Sequence, residues 1–258
     1  MTTTNDPTAA PIALITGGSR GLGKSMALHL ADRGVDVIVT YHTAATEARE
    51  VAAQIEARGR KAAALALDVR RTAGFAAFAD TVKATLGAWR RDRLSFLVNN
   101  AGTGAHASFA DTTEAQFDEL LAVHLKATFF LSQRLLPLLA DGGRIVNVSS
   151  GLSRYTYPGY AAYSVMKGGI DVLTRYMAVE LGPRRIAVNT IAPGGIATDF
   201  GGGVLRDNAE FNQAIAGQTA LGRVGLPDDV GGAVAMLLAP DSRWITGQRI
   251  EVTGGFML

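Results

Sequence analysis

Tyr163 and Lys167 stand four residues apart, with Ser150 upstream. On a helix, positions i and i+4 share a face, so this spacing sets a phenol and an ammonium one turn apart. A free tyrosine titrates near ~10, too high for proton traffic at neutral pH. A neighbouring positive charge favours the phenolate, and a phenol made more acidic in this way can act as a general acid/base. The expected chemistry is exchange of a proton with a substrate oxygen.

A second chemistry-bearing segment runs Thr16-Gly17-Gly18-Ser19-Arg20-Gly21-Leu22-Gly23-Lys24-Ser25, directly after an apolar run. Glycines at a strand-to-helix turn let backbone N–H groups approach a phosphate, whose charge the helix N-terminus favours. Two templates fit. Gly18 through Ser25 matches G-x-x-x-x-G-K-[ST], the triphosphate loop of NTPases, for which Asp68, closing the run 64–67, would supply the magnesium-binding acid. Thr16 through Gly23 matches T-G-x-x-x-G-x-G, a dinucleotide turn with glycines at 17, 21 and 23. The NTPase reading leaves Ser150, Tyr163 and Lys167 without a task, so the dinucleotide reading is the stronger.

These residues must be held by regular elements. Short apolar runs at 12–15, 36–41, 62–67, 96–99, 144–148, 187–192 and 249–252 predict strands. Amphipathic stretches at 24–33, 45–58, 73–86, 114–139, 161–181 and 228–238 predict helices between them. Such alternation argues an α/β fold, a doubly wound parallel sheet of about seven strands with helices on both faces. The expected organisation is a tail over residues 1–10 and one domain over 11–258. Within it, 199–222 breaks the pattern and carries Gly201-Gly202-Gly203, which suits a hinged lid.

Bulk composition narrows the function. The chain has 258 residues, 48% hydrophobic and 19% charged, and 30 glycines, in keeping with an enzyme rich in tight turns. A formal net charge of +2 gives no basic surface for nucleic acid. With no cysteine, disulfides, thiol catalysis and cysteine-based metal sites are excluded, and a cytoplasmic setting is expected. No stretch reaches the apolar length of a membrane span.

In combination, Thr16-Gly17…Gly21-Leu22-Gly23, Asn99-Asn100-Ala101-Gly102, Ser150, Tyr163…Lys167 and Pro193-Gly194 resemble the short-chain dehydrogenase/reductase family, with a texture similar to its 3-oxoacyl-carrier-protein reductase group. The likeness runs in order over nearly the whole chain. It implies a Rossmann-type fold and a nicotinamide cofactor. Gly17, Ser19, Arg20, Gly21, Leu22 and Gly23 would wrap the pyrophosphate, Asp68 and Val69 would border the adenine, and Asn99, Asn100, Ala101 and Gly102 would form the cofactor floor. Pro193, Gly194, Ile196 and Thr198 would flank the nicotinamide. Ser150 would hydrogen-bond the substrate oxygen, Tyr163 would give it a proton, and Lys167 would hold the ribose and depress the tyrosine's pKa. No metal is required. Enoyl reductases of this lineage space tyrosine and lysine further apart, so the four-residue step argues for C=O chemistry.

The second strand ends Thr40-Tyr41-His42-Thr43, without the carboxylate that accepts from an NAD ribose. Arg20 in the turn, with His42 or Thr43, suits a 2′-phosphate, so NADP(H) is expected over NAD(H). The family commonly carries an asparagine in the central helix that holds a water of the proton relay. Here the matching position is His124. Its imidazole can donate and accept and titrates near neutrality when unperturbed, so it is expected to serve the relay with a pH dependence of its own, or to leave a cofactor-binding protein with weak turnover. The substrate is expected to be a small carbonyl or alcohol, held near His106, Leu152 to Tyr157, Gly195 and the lid, with Arg154 placed to meet an anion. The resemblance also implies a homodimer or homotetramer.

Overall fold

The computed structural model describes residues 10–258. Seven parallel strands form one sheet: β1 Ile12–Ile15, β2 Asp36–Tyr41, β3 Ala62–Ala66, β4 Leu94–Asn99, β5 Leu139–Val148, β6 Ala187–Pro193 and β7 Arg249–Val252. Their order is β3-β2-β1-β4-β5-β6-β7. Strands β1 and β6 are buried at every residue, which suits parallel strands covered on both faces. Of the tail expected over 1–10, only Ala10 lies among the described residues, and its carbonyl accepts from Arg91 at 2.7 Å.

Two apolar layers cover the sheet. On one face α1 Gly21–Ala31, α2 Ala45–Glu56 and α9 Pro227–Leu237 bury Met26, Leu30, Val51, Ile55, Val230 and Val234. On the other, α3 Phe75–Ala88, α5 Ala127–Leu135 and α6 Ala161–Leu181 bury Phe75, Val82, Leu86, Leu131, Leu135 and Ala178. The order reverses at β1, whose neighbours β2 and β4 lead their connections to opposite faces. A crevice opens at the carboxyl ends of β1 and β4, the place where open α/β sheets bind ligands.

The helix expected over 114–139 is not continuous. It divides into α4 Glu114–Leu120, a π-helical turn Leu121–Lys126, α5 and a 3₁₀ turn Leu136–Leu138. At the wide turn Ala127 N–H reaches back five residues to the Ala122 carbonyl, and Thr128 Oγ1 donates to the His124 carbonyl at 2.7 Å. Pro137, lacking an N–H, stops the helix. Leu139 already belongs to β5, although regular pairing begins with Phe96 opposite Arg144 after a register shift.

The break expected at 199–222 contains a 3₁₀ turn Phe200–Gly203, α7 Val204–Asp207 and α8 Ala209–Gly217. Gly201, Gly202 and Gly203 have φ of 63, 79 and 78°. Three successive left-handed residues need glycine, because Cβ would meet the following carbonyl.

Candidate active site

The turn after β1 is built from backbone. Gly17 and Gly21 have φ of 66 and 53°. A Cβ on Gly18 would lie 2.7 Å from Val39, and one on Gly23 would lie 2.2 Å from the Gly17 carbonyl oxygen. Asn100 braces the turn, its Nδ2 donating to the carbonyls of Thr16 and Gly17 at 2.9 and 3.0 Å. Thr16 Oγ1 accepts from the N–H groups of Asn100 and Ala101, each at 2.9 Å. Arg20 puts no side-chain cap on α1, and the first turn holds no acid. The free N–H groups and helix dipole therefore suit a bound anion. Beside them, Thr198 is the nearest neighbour a Cβ on Gly21 would meet, at 3.8 Å. Leu22 packs against the core, while Ser19 is half-buried and Arg20 exposed at the rim. A dinucleotide phosphate fits this cradle.

The NTPase reading loses both of its metal ligands. Ser25 is buried and donates to Asp228 at 2.7 Å. Asp68 is gripped through both carboxylate oxygens by Arg70, at 2.9 Å each.

Arg70 is the residue the motifs did not reveal. Besides Asp68 it approaches His42 Nε2 at 3.4 Å, and His42 is itself 3.5 Å from Asp68. The hydrogen bonds from Arg70 hold the Asp68 carboxyl down at about 2. Tyr41 ends β2 and His42 and Thr43 follow it at this end, with Val69 half-buried. The Asp68 carboxylate is thus already neutralised, and Arg70 also lies 3.8 Å from Glu119. Its sequence signal was a basic residue two positions after the acid.

Asn99 does not reach the cleft. It is buried, and its amide donates to Ser132 and Asn147 at 2.9 and 2.8 Å, so it joins β4 to its neighbours. Of the expected floor, that leaves Asn100, Ala101 and Gly102. Gly102 lies under His124, where a Cβ would come 2.8 Å from the ring. Pro193 ends β6, Gly194 abuts Thr253, Ile196 bridges to Gly225, and Thr198 Oγ1 accepts from Phe200 N–H at 3.2 Å.

Ser150, Tyr163, Lys167 and His124 come together. Ser150 follows β5, and its hydroxyl bonds the Tyr163 phenol while accepting from Leu152 N–H at 3.2 Å. Lys167 Nζ donates to the Val148 carbonyl at 2.7 Å and lies 5.6 Å from the Tyr163 ring centroid. Three rings enclose the tyrosine: His124 edge-on at 5.2 Å, Phe200 at 5.9 Å and Tyr160 at 6.4 Å. Tyr163 retains 7% exposure.

Burial reverses the expected electrostatics. It pushes the Tyr163 phenol above the ordinary tyrosine range, with the Ser150 hydrogen bond pulling the other way. It also pushes the Lys167 ammonium down to about 7, against the opposing charge of Asp171. Desolvation, which penalises the charged form, is the largest cause for each group. The expectation that Lys167 lowers the tyrosine is therefore corrected for this state of the site.

His124 is corrected as well. Its Nε2–H donates to the Thr103 carbonyl at 2.8 Å, and its Nδ1 is buried without a partner. Burial, then the charge of Lys167, pushes it down to about 3. It is a neutral ring with a fixed tautomer, not a group that titrates near neutrality.

Outward from Tyr163 the lining is aromatic. His106 meets Tyr160 edge-on at 5.1 Å, and Tyr157 lies 6.2 Å from both Tyr160 and Phe211. Tyr155 turns to Phe256 instead, and Gly195 abuts Leu205 and Ile215. Arg154 does not await an anion: it lies 3.7 Å from Glu251 and over the Tyr155 ring.

Known proteins resemble this chain along its length. A family model described as enoyl-(acyl carrier protein) reductase matches residues 17–257. A hydroxynaphthalene reductase-like protein, Arp2 of Metarhizium brunneum, is 35% identical over 96% of this chain and 95% of its own. A short-chain dehydrogenase/reductase from Serratia marcescens superposes with a TM-score of 0.90 at 32% identity, covering 98% of this chain and all of its own. The angucycline C-6 ketoreductase LanV, solved with bound NADP, superposes with a TM-score of 0.91 at 35% identity, covering 96% and 95%.

Proposed function

Because this chain belongs to the short-chain dehydrogenase/reductase family, an oxidoreductase family acting on carbonyl/alcohol pairs, we propose that it is an NADPH-dependent ketoreductase whose proton donor is Tyr163. One observation carries the proposal: Ser150, Tyr163 and Lys167 converge beside an uncapped, glycine-lined helix N-terminus at the carboxyl ends of parallel strands.

When bound, the nicotinamide supplies hydride. The Ser150 hydroxyl holds the carbonyl oxygen, and the Tyr163 phenol passes it a proton. The phenol is protonated at neutral pH, and the substrate oxygen, a far stronger base as negative charge builds on it, takes that proton. Lys167 lies against the tyrosine ring and orients the ribose. Neutral His124 offers Nδ1 as an acceptor to the donor that completes the relay. Gly17, Ser19, Gly21, Leu22 and Gly23 hold the pyrophosphate, and Asn100, Ala101, Gly102, Pro193, Gly194, Ile196 and Thr198 the nicotinamide half. Arg20, with His42, Thr43 and Arg70, receives the 2′-phosphate; Tyr41, Asp68 and Val69 border the adenine.

The four-residue step from Tyr163 to Lys167 favours C=O over C=C reduction, despite the description of the matching family model. The aromatic lining from Tyr160 to Phe211 suits a flat fused-ring ketone, in keeping with the names of the hydroxynaphthalene and angucycline reductases. Segment 199–222 acts as the lid, with Phe200 on its inner side. A homodimer or homotetramer is supported by apolar side chains exposed on α5 and α6, among them Phe129, Phe130, Val172, Tyr176 and Val179.

The test is cofactor oxidation with β-tetralone and with cyclohexanone. NADPH should outperform NADH, and β-tetralone should show about tenfold higher kcat/KM, the size of a good aromatic contact plus added apolar area. NADPH binding without turnover of any carbonyl would replace the proposal by the cofactor-binding reading.

A further inference from the structure

Arg249 opens the last strand, paired with Thr190 of β6, yet its side chain ends behind the catalytic serine. Nη2 donates to the Ser150 carbonyl at 2.9 Å and to Ser153 Oγ at 3.0 Å. Nε donates to Asp171 Oδ2 at 3.0 Å, and the guanidinium also pairs with Glu251. Ser153 Oγ lies within donating distance of both the Ser150 carbonyl, 3.0 Å, and Asp171, 2.7 Å. The side chains of Arg249 and Asp171 are 21% and 12% exposed, so the cluster is shielded from bulk water.

Two catalytic elements meet here. Ser150 belongs to the turn after β5, whereas Asp171 lies one helical turn beyond Lys167 on α6. A fixed guanidinium fork that grips a carbonyl on one and a carboxylate on the other ties them together. The Ser150 loop spends its hydroxyl on Leu152 N–H and the phenol, so its backbone position rests on such outside contacts.

We infer that Arg249, acting with Asp171 and Ser153, is a positioning residue that fixes the Ser150 hydroxyl against Tyr163 for the carbonyl chemistry proposed above. The inference rests on that reading. The residue touches neither substrate nor cofactor; it sets the registry between the group that holds the substrate oxygen and the group that protonates it.

Removing Arg249 alone would leave Asp171 buried and uncompensated, so the decisive variant is Arg249→Met with Asp171→Asn, which removes the fork and the Asp171 charge together while Arg154 stays 3.7 Å from Glu251. In β-tetralone reduction, kcat should fall between about ten- and a hundredfold, the cost of a displacement near 1 Å, while the NADPH Kd by fluorescence stays at the parental value. Arg249→Lys keeps a charge beside Asp171 but gives up the fork, and should fall between the two. Parental kcat in the double variant overturns the inference, and so does equal loss of kcat and of NADPH-binding stoichiometry, the mark of a merely damaged fold. If the double variant does not fold, Arg249→Lys decides by itself: parental kcat overturns the inference and a reduced kcat with intact NADPH binding supports it. Parental protein that turns over no carbonyl refutes the ketoreductase reading, a separate failure.

Discussion

At the Gly17–Gly23 turn the groups facing the crevice are backbone N–H groups on a turn braced by the Asn100 amide, whereas around Tyr163 they are titratable side chains enclosed by other rings. The first region works by leaving side chains out. A Cβ at Gly23 would overlap a carbonyl oxygen that cannot retreat, because Asn100 holds it. The second works by burying groups water would otherwise solvate, and it carries the electrostatic cost in the lowered ammonium of Lys167 and the raised phenol of Tyr163. One half is specified by geometry and the other by local polarity. Substitutions should therefore fail in different currencies.

Gly23→Ala is the sharpest way to break the cofactor half. The Cβ clash at 2.2 Å should weaken NADPH binding on the order of 100-fold, at the upper end of overpacking costs, as read by fluorescence titration. Binding within a few-fold of the parent would show that the turn is not the cofactor cradle. The aromatic half would remain intact in this variant.

His124 sharpens the electrostatic half, with a smaller effect. Its folded pKa is depressed to about 3 from an ordinary 6.5. Between these values the unfolded chain binds a proton that the folded chain does not, so folding stability falls as pH drops through that window. From pH ~7.5 to ~5 the loss is roughly 2 kcal/mol. His124→Asn removes the titrating group, so its stability relative to the parent should improve on acidification by about that amount in urea melts. A pH-independent difference would mean that the imidazole is solvated and titrates alike in the folded and unfolded chain.

The same division explains what could be read from the sequence. The strand positions and the glycine turn were legible because the residues concerned have few substitutes: apolar runs for doubly covered strands, and glycine where φ is positive or Cβ has no room. Three strands, β1, β2 and β7, both begin and end where the apolar pattern does. The π turn at Leu121–Lys126 left no trace in periodicity, since a single wide turn shifts the apolar stripe by one residue without erasing it. The behaviour of Tyr163, Lys167 and His124 was misjudged because burial is a property of the assembled packing, and spacing along a helix reports only who is near whom. Arg70 and Arg249 were missed for a related reason. Each acts across the sheet end, on partners that the chain brings near only after folding: His42 for one, Ser150 and Asp171 for the other.

In the proposed ketoreduction, Tyr163 delivers the proton while the glycine turn, independently, holds the cofactor. The most direct measurement is NADPH titration and β-tetralone turnover on one preparation of Tyr163→Phe. The NADPH Kd should be unchanged and turnover lower on the order of 10³-fold, the usual contribution of a positioned general acid. Parental turnover in the phenylalanine variant, with NADPH bound as before, would contradict it.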